Sequence, residues 1–411
     1  MTTQFHCPYR QSTLLQQALA PDKMRIAFLL GAGCPVSIRL PDGDGTKPLI
    51  PDIRGLTELV DARLANSAAN KENYAALKKR FDSTPPTKPN IEEILTHIRS
   101  LLDVVRNGSI DGLDKAALLS MDAEICRITT EIVGVDLPDL ETPYHQLATW
   151  VGGIPREHPI EIFTPNYDLL TEQAFEAHKI PYFDGFVGSK EAFFDLTSME
   201  MDALPERSRL PERWSRLWKV HGSVNWWRTP KDEVVRRESH TLGDRQMIYP
   251  SHLKYDQSRR MPYLAMLDRL REFLSRGQAV LVTSGYSFAD QHLNEVILHG
   301  LRSNPTAICF GLLFGDRAGY ADVISKARKT PNLSLLAADG AVLGTAERDW
   351  RADEQTGHPL HGTSVVKEAI TGKDLADTSC KFTLGDFKRL GEFLAQQLSR
   401  NDDELATANE T

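Results

Sequence analysis

The chain has 411 residues, 41% of them hydrophobic, which is enough for a large core and more than one ordinary domain needs. Its formal net charge of -8 argues against a dedicated nucleic-acid surface, and no direct nucleic-acid binding is expected. The five cysteines (Cys7, Cys34, Cys126, Cys309, Cys380) form no CxxC pair, which gives no thiolate zinc site and points to reduced thiols. No apolar run approaches the ~20 residues of a membrane helix, and Met1 to His6 lack the features of a signal peptide. A cytoplasmic protein without membrane contact is the expectation.

Arg25 to Leu30 (RIAFLL) is an apolar run of strand length, ended by Gly31 and Gly33. Such a turn is the usual way a backbone is brought close to a dinucleotide pyrophosphate. By itself it is weak evidence, since strand-to-helix glycine turns also occur without a nucleotide. Ser37 and then Pro51-Asp-Ile-Arg54 follow, offering a hydroxyl and a guanidinium to phosphate or ribose. The plainer reading of Arg54 is a surface ion pair with Glu58.

After a polar loop rich in Pro and Gly (41–51), helical periodicity begins near Leu56 and continues to about Gly153. Asn90-Ile-Glu-Glu93 reads as an N-cap with Glu at N3, leading into Ile94, Leu95, Ile98, Leu101 and Leu102 at helical spacing. Ala116 to Val133 carries a second amphipathic pattern. These helices are expected to form a module inserted between the first strand unit and the rest of a sheet.

Strand–helix alternation resumes with a strand at Ile160 to Phe163 and a helix from Leu169 to His178. Trp218 to His221 is a further strand, followed by a helix from Tyr263 to Leu274 and a strand from Ala279 to Thr283. A helix from Asp290 to Leu301 and strands at Ala307 to Phe314 and Leu333 to Ala337 complete the pattern. It predicts an α/β fold: a Rossmann-like open, mostly parallel sheet with helices on both faces, plus an inserted helical module. Residues 1–60 and 154–345 would form the sheet domain and 61–153 the helical insert. Residues 346–411 would be a partly helical extension with a frayed end from about Asn401. Residues 185–215 and 228–246 read as loops or excursions from the sheet.

Three junctions offer chemistry. Thr164-Pro-Asn166-Tyr167-Asp168 follows a strand, where Asn and Asp serve either a ligand or an Asx turn that caps the next helix. His221 stands before Gly222 at a strand end, where open α/β sheets place ligands, and its reference pKa of ~6.5 suits proton transfer. A packed histidine is the plainer reading. In Gly285-Tyr-Ser-Phe-Ala-Asp290, Asp290 reads as a helix N-cap and Ser287 as the better ligand candidate.

In this order the motifs resemble the sirtuin family, and in particular its divergent bacterial NAD-consuming branch. The resemblance rests on Gly31-Ala32-Gly33 with Ser37, Pro51-Asp-Ile-Arg54, Thr164-Pro-Asn-Tyr-Asp168, His221-Gly222 and Gly285-Tyr-Ser287, with Ile248-Tyr-Pro250 and Lys254 beside them. It implies that Gly31, Ala32, Gly33 and Ser37 line the phosphates of NAD+, with Arg54, Gly285 and Ser287 nearby. Asn166 would hold water or the ribose, Asp168 with the Tyr167 backbone the carboxamide, and His221 would be a general base. No metal is expected.

The chain departs from the family's pattern in four places. Cys34-Pro-Val lengthens the first loop, a long polar stretch precedes Pro51, Pro165 stands where many sirtuins have a ribose-contacting Gln, and the four zinc-binding cysteines of protein-deacylating members are absent. The resemblance therefore implies an NAD+ glycohydrolase, an NAD+ nucleosidase that uses water and releases nicotinamide and ADP-ribose. It further implies an antiphage effector acting through abortive infection, a homo-oligomer, and a HerA-type ATPase/helicase partner or else a short Argonaute. The alternatives are an NAD-dependent protein deacylase and a non-catalytic NAD or ADP-ribose binding subunit.

Overall fold

Strand β1 (Arg25–Leu30) sends Ile26, Phe28 and Leu30 into one hydrophobic core and Ala27 and Leu29 into another. Both faces of the strand are covered, which is why its sequence is apolar without alternation. The structure is a computed structural model that describes residues 5–20, 24–81, 88–105, 108–153, 156–202, 210–211, 213–239, 244–248, 262–351, 360, 362–368 and 379–408.

The strands that join β1 in one nine-stranded sheet are, in chain order, β2 (Glu161–Thr164), β3 (Tyr182–Phe183), β4 (Ser215–Lys219), β5 (Ala279–Ser284) and β6 (Ala307–Leu312). β7 (Leu333–Leu336), β8 (Gly340–Leu343) and β9 (Ala346–Asp349) complete it. The spatial order is β9-β8-β7-β6-β5-β1-β2-β4-β3. Every pairing from β7 to β3 is parallel, and β8 and β9 add an antiparallel edge. The Rossmann-like, mostly parallel α/β architecture read from the sequence is what the chain adopts. The chain leaves β1 toward β2 and later returns to the other flank with β5, so β1 and β5 border the topological switch point.

The core that receives Phe28 also holds α1 (Pro8–Ala18), α2 (Gly33–Val36), α3 (Ile53–Ala65), α4 (Lys71–Lys79), α5 (Ile91–Val104) and α6 (Lys115–Val133). α7 (Pro143–Gly153) and α8 (Leu170–Ala177) pack into the same core. The opposite core takes side chains from α9 (Leu196–Asp202), α10 (Pro262–Ser275), α11 (Gln291–Ser303) and α12 (Ala321–Ala327). Among the described residues, helices α3 to α6 thus share one apolar core with the sheet. Their starts are capped by side chains: Asp52 accepts from Gly55 N–H, Asn90 closes a capping box with Glu93, and Asp114 accepts from Ala117 N–H.

Four local features differ from the sequence reading. The 41–51 loop contains an antiparallel hairpin, Arg39–Asp42 with Gly45–Pro48. Segments within 185–215 and 228–246 form a five-stranded sheet with Phe186–Val187, Ala192–Phe194, Gly222–Arg228, Val234–Arg236 and Arg245–Ile248. The strand before His221 ends at Lys219, leaving His221 in the turn between the two sheets, where Gly222 takes a φ of 95°. The last helix, α13 (Phe387–Ala408), runs beyond Asn401 and buries Leu390, Phe393 and Leu394 against the rest of the molecule.

At the N-terminal end of the strands, Arg269 of α10 donates two hydrogen bonds to Glu161, at 3.0 and 3.1 Å, and Trp218 Nε1 donates to the same carboxylate at 2.7 Å. Arg216 makes a bidentate pair with Asp202, both contacts at 2.6 Å. These buried charges are fully partnered, which offsets their desolvation and ties α9 and α10 to the sheet. Among the described residues no helix is long and apolar enough to cross a membrane.

Candidate active site

Two glycine turns meet at the C-terminal ends of β1 and β5. Gly31 N–H donates to Ser284 O at 2.9 Å and Gly33 N–H to Gly285 O at 2.8 Å. A Cβ on Gly31 would stand 2.4 Å from Gly285 O, and one on Gly285 would stand 2.4 Å from Cys34 N. Backbone packs directly on backbone there, so the glycines are required by the turn-to-turn contact. Ala32 is exposed and Gly33 half-buried, leaving the outer side of the first turn open. Cys34 points inward, its Sγ 3.3 Å from Ser284 O, and burial pushes its thiol well up, which keeps it protonated.

The segment after β2 is tied to this turn. Thr164 Oγ1 donates to Leu30 O at 2.8 Å and accepts from Asn166 N–H at 3.0 Å. Asn166 Nδ2 then donates to Gly31 O at 3.1 Å, so its amide sits against the glycine turn. The next carbonyl, that of Tyr167, accepts from Val224 N–H at 3.0 Å and is engaged by the strand that leaves His221. The Tyr167 hydroxyl donates to Glu92 Oε1.

Asp168 is buried, and its Oδ1 accepts from Leu170 N–H at 3.1 Å at the start of α8. Burial raises its carboxyl to about 6 against the opposing charge of Lys219, whose Nζ donates to the Asp168 carbonyl and, at 2.9 Å, to Glu172. The Asx-turn geometry coexists with a carboxyl that carries a proton part of the time near neutrality.

His221 lies just beyond β4, and β4 pairs with β2 so that Lys219 faces Thr164. Its Nε2 is 3.0 Å from Asp290 Oδ2. Burial would lower the imidazole's proton affinity, but the Asp290 hydrogen bond and the charges of Glu92 and Asp290 outweigh it and raise the pKa above 6.5. Asp290 moves the other way: burial opposes its charge, yet His221 and the Leu293 N–H bring it to about 2. Its Oδ1 accepts from Leu293 N–H at 3.0 Å, the N-cap bond of α11.

The loop that carries Asp290 is held rigidly. Phe288 has a φ of 57°, costly for a bulky side chain, and Asn294 Nδ2 meets its carbonyl at 2.6 Å while Asn294 Oδ1 takes the Tyr286 hydroxyl at 2.8 Å.

The structure thus gathers Gly31, Ala32, Gly33, Asn166, Tyr167, His221 and Gly285 at neighbouring strand ends, with Asp168 buried just behind. Three candidates stand apart. Arg54 is 86% exposed and pairs with Glu58 at 3.2 Å, the surface ion pair, because it sits on the solvent face of α3. Ser37 spends its hydroxyl on Cys34 O at 2.7 Å, closing α2. Ser287 is exposed at the loop tip, and Asp290, which reads in the sequence as a cap, is the loop residue that touches His221. Glu92 was legible only as a first-turn helix acid. Tyr249, Pro250 and Lys254 lie outside the described residues. Among the described residues no group of three or more His, Cys, Asp or Glu side chains is placed to hold a metal ion.

Residues 160–326 match the SIR2-like domain family. That stretch runs from β2 through α12 and includes Asn166, Asp168, His221, Gly285 and Asp290; β1 and its glycine turn precede it. No curated protein matches the chain. The matched stretch is sirtuin-like, and NAD-related enzymatic activity is compatible with it.

Proposed function

We propose that the protein hydrolyses the nicotinamide–ribose bond of NAD+, giving nicotinamide and ADP-ribose. The observation that carries this reading is that the Asn166 amide bonds to the Gly31–Gly33 turn while the His221–Asp290 pair stands at neighbouring strand ends, with Asn166, His221 and Asp290 all inside the SIR2-like stretch. An open backbone turn suits a pyrophosphate, and an amide with an imidazole suits a ribose and a water molecule.

The chemistry asks little of an acid, because the leaving nicotinamide is already cationic. Water adds at the ribose carbon, the electrons of the carbon–nitrogen bond return to the pyridinium ring, and the proton of the water passes to His221. Asp290 orients the imidazole and stabilises its charged form, the division of labour that a carboxylate gives a histidine base. Asn166 holds the water or the ribose, and Asp168, two residues further along the same turn, is assigned the carboxamide. A positioned base of this kind is typically worth ~10²–10⁴ in rate.

The same reading includes a separate activator, a HerA-type ATPase or a short Argonaute, and a role in abortive infection.

The test is nicotinamide release by purified protein, with and without the ATPase and with and without an acetyl-lysine peptide. Release independent of the peptide, and lost in Asn166→Ala and His221→Ala, is expected. Release that requires the peptide makes the protein a deacylase. NAD+ bound without turnover, even with the ATPase added, makes it a binding subunit.

A further inference from the structure

The first turn of α5 belongs to the helical insert, yet one of its side chains enters the site. Its backbone is fixed from three directions. Asn90 Oδ1 accepts from Glu92 and Glu93 N–H at 2.9 and 3.0 Å, Glu93 Oε2 accepts from Asn90 N–H at 2.8 Å, and Ile91 N–H donates to Thr57 Oγ1 at 3.0 Å. A glutamate in a first helical turn ordinarily faces water, where it complements the helix dipole. Glu93 does so and is exposed. Glu92 turns inward, half-buried, and its Oε1 accepts the hydroxyl of Tyr167, the residue between Asn166 and Asp168.

Tyr167 is in turn bonded through its carbonyl to Val224, three residues beyond His221. One carboxylate from the insert is therefore linked to both chain segments that carry the proposed chemistry. We propose that Glu92 is a positioning residue of this site: it fixes Tyr167 through its hydroxyl and sets a second negative charge, with that of Asp290, beside the His221 imidazole. The proposal rests on the reading of the site as catalytic, and it makes the insert a structural part of the reaction centre.

The electrostatics agree. Burial raises the Glu92 carboxyl, while the His221 charge and the Tyr167 hydroxyl act to lower it. Among the described residues, the charged groups acting on His221 include Asp290 from the start of α11 and Glu92 from α5.

The experiment reads His221 directly in the full chain, by NMR titration of its ring Cε1–H, assigned from the signal lost in His221→Asn. Glu92→Gln keeps an oxygen for the Tyr167 hydroxyl and removes the charge. The expected result is a His221 titration displaced to lower pH, with kcat/KM for nicotinamide release reduced roughly 3- to 100-fold, the range for coupled neighbours. Glu93→Gln loosens only the capping box and is expected to leave the titration in place. A Glu92→Gln titration that overlays the wild type, or an equal displacement in Glu93→Gln, overturns the proposal. A wild type inert toward NAD+ overturns the hydrolase reading alone, since the titration still decides the placement of Glu92.

Discussion

Asp290 joins His221 to the start of α11 through its two oxygens: Oδ2 lies 3.0 Å from His221 Nε2, and Oδ1 accepts from Leu293 N–H at 3.0 Å. The helix cap thereby sets the angle at which the imidazole is held. His221, with a pKa raised above 6.5, is basic in its neutral form and carries a proton below that raised value. The proton-accepting form therefore prevails only at higher pH, and kcat/KM for nicotinamide release should fall as pH drops through a point above 6.5. Asp290→Asn should move that limb downward and lower kcat by about 10²–10⁴-fold. Paired pH–rate profiles check this, and a wild-type limb below 6.5 would contradict it.

Folding stability follows from the same pair, with opposite signs. The raised His221 contributes stability that is fully present below 6.5 and is lost as pH rises through its folded value. The depressed Asp290 contributes stability present above 3.8 and lost as pH falls through about 2.

Asp168 gives a third pH signature. Its folded pKa, raised from 3.8 to about 6, means that the protonated carboxyl suits the buried position and that stability is lost as pH rises across that window. Asp168→Asn keeps an oxygen for Leu170 N–H and cannot ionise. Its melting temperature relative to wild type should therefore improve between 3.8 and about 6. Calorimetry at several pH values measures the trend, and a gap independent of pH would refute the assignment.

Gly31→Ala tests the contact between turns. The added methyl would meet Gly285 O at 2.4 Å and the Tyr286 Cα at 2.7 Å, both backbone atoms that cannot swing aside. A loss of about 1–3 kcal/mol in unfolding free energy is expected, together with loss of NAD+ binding. Denaturant titration and calorimetric binding measure the two effects separately.

Arg54→Ala is the opposite case. With its guanidinium largely in water and paired with exposed Glu58, it should leave turnover unchanged and stability within about 0.5 kcal/mol of wild type. A tenfold loss of kcat/KM in this variant would place Arg54 in the substrate site after all.

Strands β1, β5 and β6 were legible because burial on both faces leaves continuous apolar runs, and the caps Asn90 and Asp290 because their bonds are local. The small sheet was not legible: Phe186–Val187 and Val234–Arg236 are two or three residues long and carry no periodicity. Asn166 and His221 could be picked out at strand ends, and their links to Gly31 and Asp290 are tertiary contacts. Glu92 offered only the ordinary signal of an acid at a helix start. The inward Leu390, Phe393 and Leu394 sit at helical spacing, masked in the sequence by polar neighbours.

α13 lies against α7 and against α2, the single turn that continues from Gly33. A polypeptide emerging vectorially thus presents its first glycine turn well before the helix that packs against it. Β-strand pairing with Ala279–Ser284 and the buttress from Phe387 onward must both arrive before the loop settles. A nascent chain stalled ahead of Phe387 should leave Cys34 open to thiol reagents that the finished fold excludes.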